Sequence, residues 1–254
     1  MKTRASDAII DLIDSEHRPE GGGTQGASAY REIRRAILEC RLAPGSTIDE
    51  KSLMAEFGFG RTPVREALLR LSTVRLVHFL SGQAIQVAPV GLQDIRDLYE
   101  DRLHSERLAA FLAVKRLTPE RMTALQHNFD AVPGLLKAGK IGDAIALDFR
   151  FHSLIYQGSN NRILSDHLHN LFSHSYRLWR LTATGEKKEM ADIIKSHETI
   201  IDALTKRNAE KLDALIVEHI STAFERLLNS IRGDAFSAIG RMKLISLPVT
   251  RGSL

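Results

Sequence analysis

The apolar positions change their period at residue 91, and that change organises the chain. Tyr30, Ile33, Ile37 and Leu38 recur at helical spacing, and Pro44-Gly45 closes that helix with a turn. Asp49 is placed to cap a second short helix carrying Leu53, Met54 and Phe57, with Gly58 as its stop. A third helix starts near Gly60 and carries Val64, Ala67, Leu68 and Leu71 on one face. Period-two runs at 76–80 and 84–88 predict two short strands around a turn containing Ser81-Gly82, and Pro89 ends the unit.

Beyond Gly91 the pattern is helical, with helices predicted over about 92–116, 119–137, 141–157, 161–183, 188–206 and 209–231. Thr118-Pro119-Glu120 marks one start clearly, with a cap, a first-turn proline and an early acid. The expected fold is mainly α: an N-terminal winged helix-turn-helix over 27–90, then an all-α antiparallel helical bundle over 91–232. Residues 1–26, with a possible short helix over 5–16 and Gly21 to Gly23 after it, read as a flexible arm, and 233–254 as a tail.

Composition adds limits. With 43% hydrophobic and 26% charged residues among 254, a sizeable core is available. No apolar run is long enough for a transmembrane helix and no secretory signal opens the chain, so a cytoplasmic protein is expected. The single Cys40 excludes an intrachain disulfide or a multi-thiolate metal site and leaves the ten histidines as the abundant soft-metal ligands. The net charge of +4 is unevenly spread: residues 27–90 hold 9 basic and 6 acidic side chains, whereas 91–232 hold 20 and 19.

That modest basic excess falls on the unit whose element order suits DNA. In a winged helix-turn-helix the second helix of the pair lies in the major groove with its first residues toward base edges. Here it opens Arg61-Thr62-Pro63-Val64-Arg65-Glu66, and Arg61 and Arg65 share a side beside the apolar stripe. Guanidinium groups there could bond guanine edges or phosphates. The plainer alternative is an arginine pair on a solvated face.

In the helical unit Asp148 and His152 lie four apart on one face. His197 falls at the centre of the arc formed by Ile193, Ile200, Ile201 and Leu204, and His219 at the centre of Leu212, Leu215, Ile216, Ala223 and Leu227. All four would point into the bundle, where unpaired polar groups are costly. Each alone could be a hydrogen-bonded core residue. Together they fit a divalent metal held between facing helices, with zinc first and nickel, iron or manganese as alternatives.

Over Tyr30 to Pro89, and above all Arg61-Thr62-Pro63-Val64-Arg65-Glu66-Ala67-Leu68-Leu69-Arg70-Leu71, the chain resembles the DNA-binding domain of the GntR family of bacterial transcription regulators. The resemblance implies DNA contacts from Arg61, Thr62 and Arg65, a basic contact position at Lys51 and a wing tip at Gly82. Gly60 in place of a serine cap, Val74-Arg75-Leu76 in place of an acidic-glycine-leucine turn, and Ala84 in place of a wing glycine depart from the pattern. Glu100-Asp101-Arg102, Glu106, Asp148-Phe149-Arg150-Phe151-His152, Asn161-Arg162-Ile163-Leu164, His197-Glu198 and Glu218-His219 resemble the effector-binding FCD domain of the FadR subfamily. That likeness implies Asp148, His152, His197 and His219 as metal ligands, and Arg102 and Asn161 as effector-binding residues. It also implies a small organic acid effector and a homodimer on a pseudo-palindromic operator. Surface pairing for Arg102 and helix capping for Asn161 are their alternatives, and Tyr176, Arg177 and Trp179 are either pocket or core. The expected function is a ligand-responsive regulator, a repressor by resemblance. The rivals are a regulator that senses the ion itself and a metal-dependent enzyme, and the enzyme leaves the Arg61–Leu71 helix unexplained.

Overall fold

The computed structural model describes residues 24–182 and 187–230. The helix expected over 5–16 and the tail 233–254 lie outside the described residues. Gln25 and Gly26, expected in the arm, are helical.

The N-terminal elements are α1 (Gln25–Leu38), β1 (Thr47–Ile48), α2 (Glu50–Phe57), α3 (Arg61–Thr73), β2 (Val77–Phe79) and β3 (Ile85–Val87). Thr24 caps α1 six residues before Tyr30, the first residue of the apolar repeat, its hydroxyl accepting from the Ala27 N–H at 3.2 Å. Asp49 caps α2 through the Ser52 N–H at 2.9 Å, and Gly58 ends it at φ +71°, a left-handed conformation that glycine adopts without a Cβ clash. The α3 stripe of Val64, Ala67, Leu68 and Leu71 is fully buried with Ile33, Ala36 and Ile37 of α1. Each of these leucines stabilises the unit by about 1.5–3 kcal/mol.

The wing is an antiparallel sheet of order β1-β3-β2, with Val77 opposite Val87, Phe79 opposite Ile85 and Ile48 also opposite Ile85. The strand at Thr47–Ile48 has no periodic signal because it is two residues long. The hairpin joins through one turn of 3-10 helix at Ser81–Gln83.

The helical unit comprises α4 (Leu92–Arg116), α5 (Pro119–Asp130), α6 (Val132–Lys137), α7 (Ile141–Gly158), α8 (Arg162–Thr182), α9 (Lys187–Thr205) and α10 (Ala209–Ser230). The single helix expected over 119–137 is divided at Ala131, because Pro133 has no N–H to continue the hydrogen-bond ladder.

The two units share one core cluster. Polar groups of α8 fasten the seam: the Arg34 guanidinium donates to Ser173 Oγ at 2.5 Å, His174 Nε2 to the Val74 carbonyl at 2.9 Å, and Arg177 to the Ala88 carbonyl.

Candidate DNA interface and metal centre

The outer face of α3 is polar and open. Arg61 and Arg65 have side chains 72% and 58% exposed, and Thr62 and Lys51 are exposed beside them. Gly60 caps α3 without any side-chain bond, so the first N–H groups of the helix face outward with no internal acceptor from the cap. Glu50, at the start of α2, lies 3.9 Å from the Arg61 guanidinium and 3.4 Å from that of Arg65. Exposed pairs of this kind are weak, so both arginines remain available to a stronger anion. Gly82 stands exposed at the wing tip with φ +79° and open space where a Cβ would be.

Inside the helical unit, α7, α9 and α10 bring His152, His197 and His219 together, with one ring nitrogen of each within 4.8 Å of the others. They are buried, at 4%, 3% and 9% exposure. Asp148 joins them, its Oδ1 3.4 Å from His197 Nε2. Phe151 stacks on the His197 ring at 3.8 Å and fixes its plane.

The outward hydrogen bonds decide which nitrogens carry protons. His152 Nδ1 lies 3.3 Å from Glu106 Oε2, a carboxylate that only accepts, so the proton is on Nδ1. Ser196 Oγ lies 2.6 Å from the Ile193 carbonyl and 2.9 Å from His219 Nδ1; with its own proton on the carbonyl it accepts from Nδ1. Both Nε2 atoms are then bare lone pairs, yet they face each other at 3.3 Å. In that tautomer the two lone pairs repel, a contact that a cation between them would relieve; with the His219 proton on Nε2 instead, the same contact is a hydrogen bond to His152. Ligand atoms about 2.0–2.1 Å from a tetrahedral zinc are about 3.3–3.4 Å apart, which matches both this pair and the Asp148–His197 pair. Asp148 Oδ1 and His197 Nε2 also carry no hydrogen bond among the described residues, although both atoms are enclosed. The donor set fits a divalent metal: these four side chains would hold it, and Glu106 and Ser196 would orient two of the rings.

The electrostatics agree. Burial, reinforced by the neighbouring rings, pushes His197 well below its usual value and His219 down to about 3, so both are neutral ligands. Burial raises the Asp148 carboxyl, the direction expected where no countercharge is in contact. Burial would raise Glu106 too, but the Arg102 guanidinium and the His152 ring outweigh it and hold that carboxyl at about 2.

Arg102 is buried beside the cluster, and it is already engaged: Nε and one amino nitrogen both reach Glu106 Oε1 at 2.8 Å, and the guanidinium lies 5.1 Å from the Tyr99 ring centroid. Asn161 Oδ1 accepts from the Leu164 N–H at 3.2 Å, the capping alternative for that residue. Tyr176 is buried edge-on to Phe149 and stacked with Trp179, and Arg177 is spent on the seam, so these three belong to core and interface. Sequence reasoning assigned no role to Glu106 or Ser196. The signal for Glu106 was its i+4 spacing from Arg102. Ser196 has no comparable pattern.

The architecture is that of a DNA-reading winged helix joined to a helical ligand-binding unit. Residues 25–87 match the family described as bacterial regulatory proteins, gntR family, and residues 97–222 match the FCD domain. The chain is 25% identical over 210 residues to the HTH-type transcriptional repressor RspR of Escherichia coli, covering 82% of this chain and 92% of that protein. It is 30% identical over 132 residues to an HTH-type transcriptional regulator from the TAR-I ttuE-ttuC' intergenic region of Agrobacterium vitis, covering 51% of this chain and 77% of that one. The solved structure of E. coli McbR/YncC shares the fold, with a TM-score of 0.71 at 24% identity over 82% of this chain and 99% of its own. The chain belongs to the GntR family of HTH-type transcriptional regulators and carries an FCD domain. It is a DNA-binding regulator, which removes the metal-dependent enzyme from consideration. No helix among the described residues is long and apolar enough to cross a membrane.

Proposed function

We propose that this regulator is a FadR-subfamily repressor whose helical unit, residues 91–232, holds a divalent metal, zinc foremost, through Asp148, His152, His197 and His219. A small carboxylate effector binds beside the ion, near Arg102, and alters operator binding. Asn161, whose amide oxygen caps α8, is the second effector-binding residue, through its amide nitrogen. The DNA-binding unit, residues 27–90, acts within a homodimer on a pseudo-palindromic operator, with Arg61, Thr62 and Arg65 at base edges or phosphates, Lys51 on the backbone and Gly82 at the wing. The observation that carries the ligand reading is the convergence of His152, His197 and His219, with one ring nitrogen of each within 4.8 Å of the others and Asp148 Oδ1 3.4 Å from His197 Nε2, a donor set that would suit a cation. An effector shifts the equilibrium between DNA-competent and incompetent arrangements only by binding them unequally.

The test is a thermal-shift screen of small organic acids on the metal-loaded and chelated protein, with operator affinity measured alongside. An acid that raises the melting temperature only when metal is present, and changes operator affinity, supports the reading. A second reading, the ion itself as signal, is favoured by the tight enclosure of the histidines. Operator affinity that tracks metal occupancy with no response to any acid selects it. Absence of bound metal after loading rejects both.

A further inference from the structure

The outward face of α3 carries one large apolar side chain, Leu69, which is 58% exposed. At about 100° per residue, Leu69 falls between Arg65 and Thr62 around the helix axis, about 150° from the middle of the buried stripe of Val64, Ala67, Leu68 and Leu71. It stands one turn beyond Arg65 and two beyond Arg61, in the same row. Its polar neighbours are drawn to α1. The Arg70 guanidinium lies 4.2 Å from the Tyr30 ring centroid, and Glu66 Oε2 lies 2.5 Å from where a Cβ on Gly26 would stand. Past Arg65, the outermost line of the helix therefore continues with Leu69. A single exposed leucine is ordinary on a protein surface, but this one stands in the row assigned to base edges, and recognition helices read bases over about two turns.

We propose that Leu69 reads the C5-methyl group of a thymine in each half-site. The proposal rests on the reading above that places α3 in the major groove. The thymine methyl is an apolar feature of the major-groove edge, and a leucine that covers it takes both groups out of water. Cytosine in its place has no methyl and turns an amino donor toward a side chain with no acceptor, so that donor loses its water unpaired. Leu69 thus selects thymine beside arginines whose bidentate partner is guanine.

The test uses full-length protein and an operator selected from random duplexes. Each thymine is replaced in turn by deoxyuridine, which removes the methyl and keeps the base pair. At one thymine per half-site the wild type is expected to bind about fourfold more weakly, the effect of one buried methyl. Leu69→Ala, a substitution that favours the helix, should bind thymine and deoxyuridine alike at that position and respond as the wild type does at every other thymine. Penalties that are the same in both proteins at all positions overturn the proposal, and so does the absence of any penalty. Affinity lost equally on all sequences in Leu69→Ala, with a dimer that dissociates in sedimentation, assigns the side chain to a protein contact and also overturns it. Wild-type operator affinity in Arg65→Ala and Arg61→Ala would overturn the placement of α3 in the groove, a separate result.

Discussion

His152 and His219 stand Nε2 to Nε2 at 3.3 Å while their Nδ1 protons are directed outward, to Glu106 and to Ser196. Two helices distant in sequence, α7 and α10, are brought together at that point around a gap that suits a cation. Replacing His219 with Ala removes one side of the gap. The variant is expected to lose most of its metal and to melt at a lower temperature than the loaded wild type, by elemental analysis and thermal denaturation. Full metal retention would remove His219 from the ligand set.

Glu106 serves His152 and Arg102 at once, so Glu106→Gln should show two effects. Loss of the charge leaves the buried Arg102 guanidinium unpaired, at a cost of about 3–5 kcal/mol in stability. Loss of the carboxylate partner weakens the fixed orientation of His152 and should reduce metal affinity by about 10–100-fold. Competition with a chromogenic chelator measures the second effect, and an unchanged affinity would show that the carboxylate does not orient the ring.

On the DNA face, Arg65→Ala is expected to cost about 1–3 kcal/mol on a specific operator if it reads a base, with relaxed preference at that position. Lys51→Ala should weaken all sequences alike and reduce the salt dependence of binding by about one counterion. Glu50→Gln removes the carboxylate that competes for Arg61 and Arg65, and should tighten non-specific binding. Quantitative binding over a salt series distinguishes the three, and identical salt slopes for wild type and Lys51→Ala would argue against a phosphate contact.

His174 ties α8 to the turn after α3 and is neutral in the seam. Burial lowers its affinity for a proton, with the nearby Arg177, Arg34 and Arg75 acting the same way against the Val74 carbonyl bond. The unfolded chain takes up that proton near pH 6.5 and the folded one only at a lower pH, so this residue contributes stability above about 6.5 that is lost as pH falls below it. His174→Gln keeps a donor for the Val74 carbonyl and removes the titration. Its melting temperature should therefore fall less than that of the wild type between pH 7 and 5; parallel curves would dismiss the effect.

Much of the fold was readable in the chain because local rules and tertiary packing agree. The α3 stripe, the caps at Asp49 and Thr118 and the glycine stop at Gly58 all sit where the pattern places them. The break at Ala131 was missed because the apolar period continues across it, although Pro133 removes the N–H needed to continue the ladder. The inward phase of His197 and His219 was equally legible, since a helix places i, i+3, i+4 and i+7 on one face.

Phase on one helix does not determine which other helix that face meets. The sequence by itself determined the class of each unit, the exposed arginines of α3 and the inward direction of the histidines, because these depend on contacts within a few turns. Only the tertiary structure decided that α7, α9 and α10 converge, and that Glu106 and Ser196 hold the His152 and His219 protons outward. It alone gave Arg102 to Glu106. These are contacts between residues far apart in the chain, and no short-range pattern encodes them because their partners are chosen by how whole helices pack.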